Sequence, residues 1–291
     1  MTKNAHKIYI GSFFLIGIST LLLLTIYGYD YYTTPLEERF FNQNDAMLKP
    51  SGVIGHGIGI LGSLMMIFGV ALYMLRKRVR VFFKIGYLKH WLEFHIFLCT
   101  VGPILVLYHT AFKFGGIVAV SFWSMVAVVL SGVVGRFIYV QIPRTIQGNE
   151  LDMKQISEVS SGISLQLSRE LSKGEDIALR IEQLTDVDYK KNITLGKSIF
   201  FIIKDFFNVR SVLTQLKKEM HKINIPKIKV KEILKLARSK MILARRITML
   251  RTMQKLFKYW HIVHLPFAIT MFAIMLIHIA VTIIFGYRWI F

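Results

Sequence analysis

The chain has 291 residues, of which 54% are hydrophobic and 19% charged, with 37 Lys and Arg against 17 Asp and Glu. A soluble domain carries about 25% charge, so this apolar excess, gathered into long runs, points to a membrane protein. The net charge of +20 would suit nucleic acid, but the basic residues flank the hydrophobic runs, where positive charge marks the cytoplasmic side; no nucleic-acid partner is expected. Cys99 is the one cysteine, which excludes a disulfide framework and a CxxCH haem attachment.

Five stretches reach the roughly 20 apolar residues that a helix needs to cross the hydrocarbon core: 8–29, 54–75, 94–112, 117–135 and 259–287. The first follows Lys3 and Lys7 but is too long for a typical signal peptide and has no small-residue cleavage pattern, so it reads as an anchor. The loop 76–90 carries Arg76, Lys77, Arg78, Arg80, Lys84 and Lys89 without an acid, whereas 30–50 carries Asp30, Glu37, Glu38 and Asp45 against Arg39 and Lys49. The basic loop belongs inside and the acidic one outside. The N-terminus is then inside, the C-terminus outside, and spans three and five run the same way. The predicted fold is an all-α polytopic membrane helix bundle in three parts: spans one to four in 1–140, a basic helical cytoplasmic insertion over 141–255, and span five in 256–291.

The insertion begins with Ser, Glu, Lys and Leu mixed over 149–188, a pattern of short soluble helices. The run Ile199-Phe200-Phe201-Ile202-Ile203 is too short to span and fits the membrane interface. Pro226 is a plausible helix start. Beyond it the chain is basic and amphipathic, with Ile233, Leu236, Leu243, Ile247, Leu250 and Leu256 among Lys and Arg. Anionic lipid could hold that stretch.

The histidines carry the chemistry. Ionisable residues inside spans are costly and are functional candidates. Span three holds His95 and His109, and span five holds His264 and His278, both pairs 14 residues apart. Fourteen steps of about 100° return to within about 40° of the start, and about 1.5 Å of rise each separates the pair by roughly 21 Å. Each helix therefore shows two imidazoles on one face at two depths. Because the spans run the same way, His95 faces His264 at the inner level and His109 faces His278 at the outer level. Haem iron accepts axial imidazole, and facing helices build such sites. The expected cofactors are two non-covalent haem b groups, each bis-histidine. Histidines that merely pack helices fit one position but fit the duplicated spacing poorly. A zinc site would gather its ligands at one depth.

Paired His-x13-His helices resemble the dihaem core of respiratory cytochrome b, and their placement on spans three and five looks more like the transmembrane core of ferric reductases and NADPH oxidases. The resemblance covers spans three to five. It implies haem as the cofactor and transmembrane electron transfer as the activity. No flavin or nucleotide domain follows span five here, which implies that the electrons come from elsewhere.

Other residues fit around this centre. Gly102, midway between His95 and His109, would let a flat ring approach the backbone. Gly132 and Gly135 would do the same for span four. Arg136 and Arg144 could hold inner propionates, and Lys113 and Arg288 the outer ones, although flanking charge is the alternative for all four. The GxGxxG match at Gly57, Gly59 and Gly62 lies inside span two with no preceding strand; it reads as close packing, not a nucleotide loop. Cys99 reads as a small core residue. His90 and His261 read as interfacial. His56, one turn into span two, is a candidate base beside the outer haem, with Gly52, Gly55, Gly57 and Gly59 leaving room for a quinone ring; a propionate contact, a helix-packing hydrogen bond or a plain interfacial position competes.

The expected function is electron transfer across a prokaryotic inner membrane, between membrane quinone and a redox partner protein on the cytoplasmic side, as a subunit of a larger oxidoreductase. A self-sufficient metal reductase and a non-redox transporter or receptor with structural histidines are the alternatives. The topology is testable by itself. A periplasmic-type enzyme reporter fused after Phe291 is expected to be active and a cytoplasmic-type reporter silent; the reverse would dissolve the parallel pairing of spans three and five.

Overall fold

The computed structural model describes residues 2–143, 151, 153–170, 177, 179, 181–183, 195–222 and 225–285. Eight α-helices carry them: α1 (Lys3–Thr33), α2 (Asp45–Leu48), α3 (Val53–Arg78), α4 (Leu88–His109), α5 (Gly116–Gln141), α6 (Met153–Glu170), α7 (Leu195–Lys222) and α8 (Lys227–Ile284). No strand occurs among the described residues. Five helical stretches are long and apolar enough to cross a membrane: Asn4–Thr33, Asp45–Arg78, Leu88–His109, Gly116–Gln141 and Thr252–Ile284. The molecule is an all-α membrane helix bundle, as composition and hydropathy require. Inside a bilayer only a helix satisfies each backbone group within its own segment.

The chain divides into two compact units, 1–134 with 262–291, and 135–261. The second is wider than the insertion expected over 141–255, because α5 and α8 run on past their apolar stretches without a stop signal. Within it, Ile177, Ile181, Val209, Leu216, Met220, Ile233 and Ala237 form one buried cluster, and Ile138, Ile142, Ile156, Ile247, Leu250 and Met253 form another. The apolar stripe of α8, including Ile233, Ile247 and Leu250, is therefore covered by protein and not by lipid. The side chains of 199–203 and residues Arg144 and Arg288 lie outside the described residues.

In the first unit α3 and α4 pack most closely. Gly55, Gly59, Gly62 and Gly69 are the buried glycines of α3. A Cβ on Gly62 would stand 2.7 Å from the Gly102 carbonyl, and one on Gly102 would stand 2.8 Å from the Gly62 carbonyl. The two backbones thus cross at these residues, the close approach that small residues allow in membranes. Successive contacts run in opposite sequence order, His95 with Gly69 and His109 with Gly55, so α3 and α4 are antiparallel. α1 runs parallel to α4. Phe13 stacks on Phe97 with ring centres 4.3 Å apart, and Thr25 and Tyr108 share a hydroxyl hydrogen bond of 2.6 Å. α5 and the apolar part of α8 are antiparallel, with Ser121 Oγ donating to the Met271 carbonyl at 2.9 Å. Met66, Phe122, Met125, Met271 and Met275 close the core between them.

Two buried arginines fix the turns at either end of α4. Arg39 is 5% exposed and donates to the carbonyls of Ala111, Thr34 and Tyr32. Its partner Ala111 and the next residue Phe112 hold φ of 48° and 59°, the left-handed region that non-glycine residues seldom adopt. The helix consequently ends at His109, short of the 112 expected from hydropathy. At the other end, Arg76 donates to the carbonyls of Ile85 and Gly86 at 3.1 and 3.0 Å, and Gly86 takes φ +61°. The sequence pattern presents Arg76 as loop charge; the structure uses it as a buried clamp.

The helix crossing can be tested with two glycines. Gly62→Ala forces a Cβ against backbone, an overpacking change that typically costs about 1–3 kcal/mol. Gly11→Ala meets nothing within 4 Å and improves helix propensity. Thermal unfolding in detergent is expected to show a lowered midpoint for Gly62→Ala and an unchanged or raised one for Gly11→Ala.

Candidate functional site

The four span histidines are half-buried residues of the first unit. An imidazole N–H in an apolar helix packing needs an acceptor, and two of the four find a carbonyl through Nδ1 while a third has a hydroxyl there. His95 Nδ1 lies 3.0 Å from the Gly69 carbonyl. His109 Nδ1 lies 2.8 Å from the Gly55 carbonyl. A carbonyl only accepts, so in both rings Nδ1 carries the proton. His264 Nδ1 lies 2.6 Å from Ser131 Oγ. That hydroxyl also lies 2.9 Å from the Val128 carbonyl and can donate to or accept from the ring. The His95 and His109 rings are the Nδ1–H tautomer, which leaves the lone pair on Nε2.

The glycine stripe explains how α3 makes this possible. Gly55 and Gly69 are 14 residues apart, the same interval as His95 and His109. On an antiparallel neighbour that interval puts a bare carbonyl beside each ring. A Cβ on Gly59 would stand 2.6 Å from His109 Nδ1, and one on Gly69 would stand 3.0 Å from Cys99 Sγ. The sequence signal was present as Gly-x13-Gly opposite His-x13-His, but only antiparallel pairing in register gives it meaning. Cys99 also lies 3.6 Å from His95 Nδ1, so it belongs to the packing around that ring.

The two levels differ. At one level His109 and His278 have ring centres 6.5 Å apart, inclined at 57°. His56 joins them, with its ring centre 6.3 Å from that of His109. At the other level Tyr73 lies 5.2 Å from the His95 ring.

The remaining expected site residues fall as follows. Gly102 is buried against Gly62 and Met66; its close approach is to α3. Gly132 has nothing within 4 Å of a built Cβ and stays open. Gly135 accommodates the Trp260 indole, which a Cβ would meet at 2.2 Å. Arg136 places its guanidinium 5.6 Å from the Tyr139 ring centre. Lys113 is exposed. His261 is exposed, with Nδ1 3.3 Å from the Phe257 carbonyl of its own helix. Beside His56, a Cβ on Gly52 or Gly55 would meet backbone carbonyls at 2.6 and 2.1 Å, and one on Gly59 would meet the His109 ring, so these glycines tighten the start of α3.

His90, expected to be interfacial only, instead forms a cluster with His6 and Glu93. Comparison with protein families, curated proteins and solved structures gives no match.

Proposed function

We propose that this chain is a b-type membrane cytochrome that holds two haems by histidine and passes electrons between the two faces of a membrane. The observation that carries the reading is the tautomer of the span histidines. A histidine that binds a metal through Nε2 almost always donates its Nδ1–H to a carbonyl or similar acceptor, which orients the ring and raises its basicity. His95 and His109 each have that arrangement, and His264 Nδ1 has the Ser131 hydroxyl beside it. The separation of His109 and His278 supports it as well. Their ring centres are 6.5 Å apart, close enough for one bound group to reach both imidazoles.

His109 and His278 would hold one haem, and His95 and His264 the other. Bound haem supplies one-electron exchange at its iron. The chain's own residues do the rest. The Gly55 and Gly69 carbonyls and the Ser131 hydroxyl hold the imidazoles in orientation, and the apolar helices set a low dielectric around them. His56 is placed to take a proton near the outer pair, since a neutral imidazole offers one acceptor nitrogen. That suits oxidation of a membrane quinol, which releases protons as well as electrons. The insertion 141–255 has 23 Lys and Arg against 12 Asp and Glu, and such a basic surface suits an acidic redox protein through complementary charge. With loop charge placing it inside, the partner would be cytoplasmic, and the membrane a prokaryotic inner membrane.

Pyridine haemochrome analysis of pure protein is the decisive measurement. About two haems per chain are expected, falling to about one in His109→Ala or His278→Ala. A colourless preparation from haem-replete cells would remove the proposal and favour a transporter or receptor. His56→Ala is expected to keep both haems and normal dithionite reduction while slowing reduction by a quinol analogue; loss of a haem there would make His56 structural instead.

A further inference from the structure

We infer that His6, His90 and Glu93 form a divalent transition-metal site of the zinc class that staples the start of α1 to the start of α4. This inference is independent of the haem reading, since none of the three is a span histidine assigned to haem.

The three residues come from two helices whose N-terminal ends lie side by side. His6 is in the first turn of α1, and His90 and Glu93 are one turn apart at the start of α4, so both α4 residues share a face. His6 Nε2 lies 3.0 and 3.3 Å from the two Glu93 oxygens. His90 Nδ1 lies 3.1 Å from Glu93 Oε2. The two imidazole ring centres are 5.2 Å apart, and one donor atom from each of the three residues falls within 4.8 Å of the others. Among the described residues no other group of three or more His, Cys, Asp or Glu side chains meets that condition. Donors bonded to one zinc at about 2.0–2.2 Å in a tetrahedron stand about 3.3–3.6 Å from each other, so small side-chain rotations suffice to seat an ion.

The donor chemistry fits as well. Two imidazoles and one carboxylate are the composition of three-ligand zinc sites, which keep a fourth position for water. Glu93 is 8% exposed, whereas the His6 and His90 side chains are 28% and 24% exposed. The carboxylate is thus sunk below two rings that an ion can reach from the aqueous side. Tyr9 supports the rings from beneath: its ring centre is 6.3 Å from that of His6 and 6.0 Å from that of His90, and its hydroxyl donates to the His90 carbonyl at 3.2 Å. The Lys89 ammonium, 53% exposed and 3.7 Å from Glu93, is the local competitor. It has free access to solvent and would turn outward when a dication binds.

Such a site has a purpose in this fold. None of the apolar window of α1 is buried inside the chain, so α1 is held by a few side-chain contacts. A metal bound to the folded arrangement and not to separated helices stabilises the arrangement by mass action.

The experiment uses the full chain in detergent, stripped with a chelator and titrated with Zn2+ against a chromogenic zinc indicator. Wild type is expected to bind one zinc per chain and to melt at a higher temperature with zinc than without. His6→Ala, His90→Ala and Glu93→Gln are each expected to weaken that binding at least about tenfold and to lose the zinc-dependent rise in melting temperature. A variant with His221→Ala and His261→Ala keeps both, because those residues are outside the cluster. The zinc K-edge X-ray absorption spectrum of the wild type, which needs no variant to fold, is expected to show two imidazoles with oxygen ligands. No stoichiometric zinc in wild type, unchanged binding by any one of the three variants, or a spectrum without imidazole would overturn the site.

Discussion

The packing of α4 against the glycine face of α3 is the contact on which the candidate centre depends. In an apolar environment a polar N–H without an acceptor costs several kcal/mol, so the imidazoles of His95 and His109 must reach one. They reach helix carbonyls of α3 at Gly69 and Gly55. Helix carbonyls are normally screened by neighbouring side chains; here glycines remove the screen. The crossing of Gly62 with Gly102 sets the distance between the helices, and that distance sets both hydrogen bonds.

The ends of this helix pair are secured by charge buried for structural reasons. Arg39 and Arg76 each satisfy loop carbonyls. A guanidinium offers five donors in a fixed fork, so one side chain can tie several free carbonyls where a helix stops. Arg39 also holds the left-handed turn at Ala111 and Phe112, which ends α4 directly after His109. The position of that ring is thereby determined from both sides, by a carbonyl of α3 and by the turn that follows it.

The two histidine levels are built alike but furnished differently. Fourteen residues separate Gly59 from Tyr73, so these occupy equivalent places beside His109 and His95. One leaves the ring against backbone and brings His56 near; the other puts an aromatic ring 5.2 Å away. The polarity around the two imidazoles therefore differs between the levels.

Helix class, the five apolar stretches and the paired histidines are legible in the amino-acid order, because hydropathy and the helical repeat are local properties of a chain in a membrane. The glycines were visible too, but their meaning was not. Gly102 looked like room for a ring and proves to be where the backbone of α4 meets Gly62 of α3, since contact between helices depends on register, which no single helix encodes. The same holds for Arg76, read as topogenic charge, and for His90, whose cluster needs His6 from a helix more than 80 residues away in sequence. Tertiary structure alone decided which carbonyl each imidazole finds, and therefore which ring nitrogen is left to bind a metal.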